Sequence, residues 1–210
     1  MVIKAQTRRQ IYAAETRAAL LEAGRKSFVE RGYAATSIED ITAAVLISKG
    51  AFYRHFDDKQ ALFAELFTER LRHAADLAET ALTQIRSAPP GEGAALAIGF
   101  AYAFAELSVT DPVHRELLRQ APEALGEQKY TALDDEIVLP PITQLLTLLT
   151  ERKELRAGVP LETTARLLLR QLCASNIIIA AAPDHEAMLA ECATTMMLFF
   201  TGLLEPTVAG

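Results

Sequence analysis

The chain has 210 residues, 50% of them hydrophobic, and carries a formal net charge of −6. With ten glycines and no low-complexity tract, this composition predicts a chain that folds around a real core, and it excludes a disordered or fibrous protein. The charge is uneven, because residues 1–60 hold ten Lys/Arg against seven Asp/Glu and residues 61–210 hold eleven against twenty. We therefore expect a small cationic module on an acidic body, with any affinity for nucleic acid sensitive to salt.

Targeting and metal-site signals are weak in this sequence. Residues 1–4 show no signal-peptide pattern, and the apolar stretches at residues 177–182 and 196–204 are too short to span a bilayer. Cys173 and Cys192 have no ligand-like spacing to a histidine, so free buried thiols are expected, with a regulatory thiol as the alternative. We expect a cytoplasmic protein that holds no metal and no cofactor.

Three helices and the start of a fourth are predicted in the amino-terminal part. Apolar residues at a spacing of three to four predict a helix over about residues 8–31, which Gly32 ends. Thr36 with Glu39 fits a capping box for a short second helix, and Ser37 with Asp40 is a weaker version one step later. The third helix begins at residue 48. A fourth, capped at residue 57 or 58, continues to about residue 86.

The rest of the chain predicts five more helices after a Pro/Gly-rich loop at residues 88–93. They cover about residues 93–109, a stretch that starts at Asp111-Pro112, about 131–152, about 161–181 and 184–204. The helix over 131–152 is expected to kink at Pro140-Pro141. No strand is predicted, so the fold class is all-α with about nine helices.

The last two predicted helices are apolar over more than one face. A helix that is hydrophobic nearly all round is buried on most sides. We therefore expect these two helices to pack against their copies in a second subunit, which gives a twofold four-helix interface. The alternative is that they form the core of a large monomer.

Residues 48–56, with the sequence SKGAFYRHF, mix small, basic, aromatic and hydroxyl-bearing side chains within about two helical turns. Phe52 and Phe56 are four residues apart and are expected in the core. The cations in this run would be unfavourable to bury unpaired. Such a mixture suits a helix laid against nucleic acid, with small residues near base edges and cations or hydroxyls near phosphate.

Three helices in about fifty residues, with a short turn between the second and third, form a helix-turn-helix. Over about residues 15–67 the chain resembles the amino-terminal domain of the TetR family of bacterial transcriptional regulators. The resemblance implies a helix-turn-helix domain at residues 1–58 and a larger helical effector-binding and dimerisation domain at residues 59–210, linked by the fourth helix. It rests on Phe28, Gly32-Tyr33, Thr36-Ser37-Ile38, Ile41, Ser48-Lys49-Gly50, Tyr53-Arg54-His55-Phe56, Lys59 and Leu62.

The resemblance also implies a set of DNA contacts that the residue chemistry supports. Hydroxyls at the starts of the second and third helices would bind phosphate, and Lys49 would contact a base edge, most naturally guanine. Gly50 and Ala51 would allow close approach, with Ala51 against a thymine methyl group. Tyr53, His55 and Lys59 would bind phosphate, and Arg54 would contact the groove or the backbone. The full implied set is Thr36, Ser37, Ser48, Lys49, Gly50, Ala51, Tyr53, Arg54, His55 and Lys59.

The sequence departs from the family pattern in the turn before the third helix. Leu46 stands where the family usually has a glycine, and a leucine with positive φ would be strained, so a changed turn or a longer second helix is expected. Glu39 and Asp40 suit the helix dipole at the start of the second helix but repel DNA. Specificity is therefore expected to depend mainly on the third helix.

Members of this family commonly bind a small molecule in the second domain. An apolar lining with few charges favours a hydrophobic or aromatic effector. Phe100, Tyr102 and Phe104 cannot all share one helix face, and Gln171 and Asn176 have a hydrogen bond across the dimer seam as an alternative role. The candidate ligand-binding residues are Phe67, Phe100, Tyr102, Phe104, His114, Gln144, Gln171 and Asn176.

The sequence thus predicts a dimeric, sequence-specific DNA-binding transcriptional regulator, by resemblance a repressor that its effector releases from a DNA operator. The alternative is a helical dimeric adaptor whose cationic module binds an acidic protein. Catalytic residues are not expected, because the sequence has neither a phosphate-binding Gly loop nor a nucleophile elbow. The carboxylate–imidazole neighbours at Asp111/His114 and Asp184/His185 are explained by capping and surface roles.

Overall fold

The computed structural model describes residues 7–204, which form ten helices and no strand; the predicted absence of a signal peptide concerns residues 1–4, outside this range. The all-α prediction is confirmed. The helices are α1 (Arg8–Arg31), α2 (Ile38–Ala44), α3 (Lys49–Phe52), α4 (Lys59–Ser87), α5 (Gly93–Thr110), α6 (Pro112–Leu125), α7 (Glu127–Ile137), α8 (Leu139–Glu151), α9 (Leu161–Ala181) and α10 (His185–Leu203).

Local capping explains where the first helices begin and end. A capping box between Thr7 and Gln10 starts α1, and Gly32 ends it with φ +86°. The capping box of α2 joins Ser37 and Asp40, so the favoured pair of Thr36 and Glu39 is wrong and the weaker version is the one formed. The reason is that Thr36 lies one residue too early and turns its side chain into the core, where it is 1% exposed.

The first three helices pack with the start of α4 around one aromatic core. Phe52 and Phe56 belong to it, as predicted, with exposures of 0% and 4%. The rings of Phe28 and Phe63 lie 5.3 Å apart, which joins α1 to α4. At Gly24 an added Cβ would lie 2.4 Å from a Leu62 methyl group, so the absence of a side chain allows α1 and α4 to approach closely.

Helix α4 connects this three-helix head to the rest of the protein. Its 29 residues begin at the N-cap Asp58 and span about 44 Å at 1.5 Å per residue. Its first turns pack with the head, and the helix also contacts α5, α6, α7 and α8. A displacement of α4 would therefore move contacts in both the head and the helical body.

The segment around Pro140 and Pro141 differs from the prediction. Two helices, α7 and α8, replace the single kinked helix, and α7 begins at Glu127 instead of about residue 131. Proline has no N–H to donate and is favoured in the first turn of a helix but disfavoured in its interior, so the pair starts α8 and ends α7. Gly126, with φ +77°, separates α7 from α6. The described residues therefore contain ten helices where about nine were predicted.

Helix α5 is the one helix within residues 7–204 that is long and apolar enough to cross a membrane, with 18 residues and a mean hydropathy of 1.4. It packs against α4, α9 and α10 and buries Phe100 and Phe104. Burial in the centre of a helical bundle explains its apolar composition equally well.

Helices α9 and α10 divide their apolar residues between the core and the surface. Leu168, Leu169 and Leu172 face inward from α9, and Met196 and Phe200 from α10. A second apolar set is turned away from the core, with exposures between 42% and 71%. Its members are Leu167, Ile178, Met197, Leu198 and Phe199.

Candidate nucleic-acid interface and effector site

The turn between α2 and α3 keeps the geometry that glycine usually provides. Leu46 has φ +57° and α2 ends at Ala44, so the two expected alternatives, a changed turn and a longer second helix, are both wrong, and the strained conformation is present. The N–H of Leu46 donates to the Ala43 carbonyl, and the N–H of Ile47 donates to the Thr42 carbonyl. The Leu46 side chain is 93% exposed, so almost no burial compensates for this backbone conformation.

Helix α3 is a single turn, and a further turn through residues 53–55 completes the predicted two-turn run. Ser48 is its N-cap, and the Ser48 hydroxyl accepts from the Ala51 N–H at 3.3 Å. Because Phe52 and Phe56 point inward, the polar residues of the run point outward. Ser48, Lys49, Gly50, Tyr53 and Arg54 are exposed, and His55 is half-buried.

The structure corrects the expected role of the α2 start in phosphate binding. The Thr36 hydroxyl is buried and donates to the Ser27 and Gly32 carbonyls. The Ser37 N–H and hydroxyl both donate to the Asp40 carboxylate, at 2.8 and 2.6 Å. Hydrogen bonds from Ser37 lower the pKa of Asp40, so an anion already occupies this helix start. Neither Thr36 nor Ser37 offers a hydroxyl to phosphate in this conformation.

Lys59 and Ala51 also differ from the expected contacts. The Lys59 ammonium donates to the Tyr33 and Thr36 carbonyls at 2.7 and 2.8 Å and lies 4.1 Å from the Tyr33 ring centroid. It therefore fastens the α1–α2 loop to α4 instead of projecting as a phosphate clamp. Ala51 is 9% exposed and lies on the inner side of α3, which removes it from contact with a thymine methyl group.

Lys49 is paired with an acidic residue of the neighbouring helix. Its ammonium forms an ion pair with the Glu39 carboxylate, and the two side chains remain 52% and 58% exposed. Exposed pairs of this kind contribute about 0.2–1 kcal/mol to stability. The pair therefore matters little for the fold, and it lies at the surface on which specificity was predicted to depend.

The candidate ligand-binding residues do not form one lining. Phe67, Phe100 and Phe104 are buried, whereas Tyr102 is 44% exposed, so the aromatics at positions 100–104 do not share a face, as expected. Gln144 is exposed and Gln171 half-buried. The buried Asn176 accepts from the Ser108 hydroxyl at 2.8 Å within the same chain, not across a seam. Tyr102 and Gln144 are therefore corrected, since both point outward from the bundle.

His114 is the predicted ligand-binding residue with the most unusual surroundings. It lies in the first turn of α6 and is 4% exposed, and neither ring nitrogen has a hydrogen-bond partner. Burial lowers its pKa to about 4, so the ring is neutral near pH 7. A buried polar group with free hydrogen-bonding capacity is unfavourable for folding and is a candidate contact for a ligand.

Tyr130 has a similar environment and was missed in the sequence. Its ring stacks on Phe67 at 5.6 Å, and its hydroxyl has no partner at hydrogen-bond geometry, although the Cys173 thiol is near. Cys173 in turn donates to Asp134 at 3.3 Å, and Arg170 pairs with the same carboxylate. Burial raises the pKa of Asp134 to about 6. The sequence offered only one signal, a tyrosine and an aspartate four residues apart on one helix.

The space inside the bundle is small in this conformation. A wholly apolar cavity of about 20 Å³ lies between α5, α8, α9 and α10, and Phe100 is the one predicted ligand-binding residue in its lining. That volume holds about one water molecule. A larger compound would therefore require these helices to separate. Within residues 7–204, no three His, Cys, Asp or Glu side chains are grouped closely enough to hold a metal ion.

Comparison with known proteins assigns both the head and the helical body to a protein family. The model of the family described as "Bacterial regulatory proteins, tetR family" matches residues 20–66. A second model, "Tetracyclin repressor-like, C-terminal domain", matches residues 93–203, which is more than half of the chain. The chain belongs to the tetR family of bacterial regulatory proteins.

Individual TetR-family proteins match either the head or the whole fold. The repressor DhaR of Mycobacterium sp. is 44% identical over 50 residues, which are 24% of this chain and 25% of DhaR. The regulator TtgR of Pseudomonas putida is 41% identical over 54 residues, 26% of each chain. The chain therefore spans about a quarter of the length of the curated relatives that it matches.

Solved structures extend the likeness over nearly the whole chain. A TetR-family transcriptional regulator of Pectobacterium atrosepticum is 28% identical with a TM-score of 0.76, over 96% of this chain and 99% of that one. GusR of Salmonella enterica is 26% identical with a TM-score of 0.65, over 90% and 95% of the two chains. The TetR-family arrangement of a helix-turn-helix head and a helical body is thus shown for this chain.

A buried glutamine connects the head to the body, and no local sequence signal predicted it. Gln120 of α6 is 4% exposed and accepts from the Tyr33 N–H at 2.7 Å while it donates to the Phe28 carbonyl at 3.0 Å. Nearby, Gln60 of α4 donates to the Ala124 carbonyl at the end of α6. One helix, α6, therefore carries His114 near its start and the hydrogen bonds to the head near its end.

Proposed function

We propose that this TetR-family protein is a non-enzymatic, cytoplasmic transcriptional regulator that binds a double-stranded DNA operator as a homodimer and represses transcription by occupying it. The observation that carries the proposal is the outward face of α3 and the turn after it. Phe52 and Phe56 are buried, while hydroxyl, cationic and aromatic side chains project together from an exposed turn. Such a set is suited to phosphate and base-edge contacts in the major groove.

The proposed set of DNA-contacting residues is smaller than the set expected from the sequence. We retain Ser48, Lys49, Gly50, Tyr53, Arg54 and His55, since these side chains or backbone positions are accessible. The domain boundaries at residues 1–58 and 59–210 are part of the proposal, with α4 shared between the two parts.

A gel shift tests DNA binding. The probe is the DNA upstream of the protein's own gene, and the unlabelled fragment is the competitor. We expect a competed shift for the wild type and its loss in both Lys49→Ala and Tyr53→Ala, with the dimer intact. Lys153→Ala is the matched control, because Lys153 is exposed in the α8–α9 connection, away from α3. Retained binding in both α3 variants would refute the assigned interface.

The dimer proposal is supported by the exposed apolar set on α9 and α10. Leu198 and Leu167, at 71% and 65% exposure, belong to two adjacent helices, and a partner copy would cover both. We expect Leu198→Asp to sediment as a monomer and to bind DNA more weakly, since two heads no longer bind together. Leu46→Asp, at a still more exposed leucine in the turn between α2 and α3, should sediment as the wild type does.

The effector proposal is supported by two buried polar groups without hydrogen-bond partners, the His114 ring and the hydroxyl of Tyr130, whose ring lies against Phe67. We infer that a hydrophobic or aromatic compound with a hydrogen-bonding group separates the helices and satisfies one of them. A thermal-shift screen of such compounds should give stabilising hits that His114→Phe weakens while Gln144→Ala, at an exposed position, does not. A screen without any stabilising compound would contradict the inference.

A further inference from the structure

The ion pair between Glu39 and Lys49 joins the first turn of α2 to the first turn of α3. Helix α3 has only four residues, so its first and last turns coincide and the helix dipole has little net effect on Lys49. Glu39 lies in the first turn of α2, where the helix dipole favours a negative charge, and its carboxylate also neutralises the charge of Lys49. Since both side chains are more than half exposed, this arrangement affects what the surface binds more than how it folds.

Asp40, the acidic residue next to Glu39, has different hydrogen-bond and ion-pair partners. Asp40 accepts from the N–H and the hydroxyl of Ser37, and its other oxygen lies 3.4 Å from Arg31. Asp40 is therefore part of the capping of α2. Glu39 has no capping role, because the side chain that caps α2 belongs to Ser37 and is paired with Asp40. Its carboxylate is directed across to α3.

We propose that Glu39 is a specificity-determining residue of the DNA interface. The inference depends on the proposed DNA binding and adds a role for an acidic residue within that surface. The Lys49 side chain is long and flexible, and if it were unrestrained it could reach phosphates of any sequence. Glu39 holds the ammonium at the start of α3, where two remaining N–H donors can meet guanine acceptors in the groove.

The carboxylate has a second effect on DNA that lacks the correct base. Non-specific binding depends on attraction between cations and phosphates, and a carboxylate at the interface opposes it. A site that provides guanine to the restrained Lys49 compensates for this repulsion, whereas another sequence does not. Repulsion of wrong partners is a general way to gain specificity.

The experiment selects duplexes from a randomised double-stranded DNA library with the full-length protein. Fluorescence anisotropy at fixed salt then measures the affinity for the selected duplex and for a scrambled duplex. For Glu39→Gln we expect tighter binding of the scrambled duplex and a specificity ratio lower by on the order of tenfold. We also expect a weaker guanine preference at one position of the selected sequence.

Glu22→Gln is the matched control. Glu22 is 63% exposed, is paired with Arg25 within α1, and loses the same charge when it is replaced. If Glu22→Gln lowers the specificity ratio as much as Glu39→Gln does, the effect is one of net charge and the proposal is overturned. Circular dichroism verifies that each variant is folded.

A double-mutant cycle tests whether Glu39 acts through Lys49. In a Lys49→Ala background, measured at low salt so that the remaining phosphate contacts still retain DNA, Glu39→Gln should no longer change the base preference at that position, since the restrained cation is absent. An undiminished change would overturn the proposed mechanism. If the wild type enriches no sequence at all, the proposed DNA binding fails; if it enriches a sequence that Glu39→Gln enriches equally well, this inference alone fails.

Discussion

Replacement of Leu46 by glycine should stabilise the protein. Leu46 has φ +57°, and an L-residue in this conformation is disfavoured by about 1–2 kcal/mol, mainly through its Cβ. Glycine avoids that strain but loses roughly 0.5–1 kcal/mol more backbone entropy on folding. With its side chain 93% exposed, Leu46 has almost no burial to lose. The difference between these two ranges is about 0–1.5 kcal/mol, and we expect a net gain near its middle.

Urea unfolding at one fixed protein concentration, followed by circular dichroism, measures this gain. For a chain of this size, 1 kcal/mol corresponds to a rise in Tm of about 2–4 °C. Leu46→Ala is the matched control, since it removes most of the side chain but keeps the Cβ and therefore the strain. We expect Leu46→Ala to unfold as the wild type does. If alanine stabilises as much as glycine, the strain does not come from the Cβ and the reasoning is refuted.

Three further predictions concern buried polar groups. His114 has a pKa of about 4 when folded and about 6.5 when unfolded, so the unfolded chain takes up a proton first as the pH falls. The wild type should therefore lose about 3 kcal/mol between pH 6.5 and 4 relative to His114→Leu in parallel urea titrations, and equal pH slopes would contradict this assignment. Gln120→Leu leaves the Tyr33 N–H unpaired, so we expect a loss of about 1–3 kcal/mol and faster hydrogen exchange at that amide, whereas unchanged exchange would count against the contact. Lys59→Met should weaken DNA binding without changing its salt dependence, because its ammonium binds carbonyls; a salt slope lower by about one unit would restore the phosphate role.

The head was predictable because its signals are local. The spacing of Phe52 and Phe56 placed them in the core, and Asp58 was one of two positions expected to cap the fourth helix. Leu46 shows the limit of such signals. The sequence shows a leucine where the family usually has glycine. Whether the turn changes its shape or keeps Leu46 in a strained backbone conformation depends on how α2 and α3 pack.

Two of the errors have one physical cause, which is that the groups around a side chain come from residues far apart in sequence. Lys59 was expected to bind phosphate, yet the carbonyls of the α1–α2 loop lie within its reach. Tyr130 was missed because its unusual environment arises from Phe67 and Cys173, which belong to other helices. Burial of a polar atom depends on all the elements around it, and a single segment does not contain that information.

The sequence by itself determined the helical fold class, the position of the helix-turn-helix and the family resemblance, because helix periodicity, capping residues and the run at residues 48–56 are properties of neighbouring residues. Tertiary structure decided which side chains of that run remain accessible, that Glu39 holds Lys49, and that α6 joins His114 to the head through Gln120. Each of these outcomes depends on the distance between separate helices, and packing alone fixes such distances.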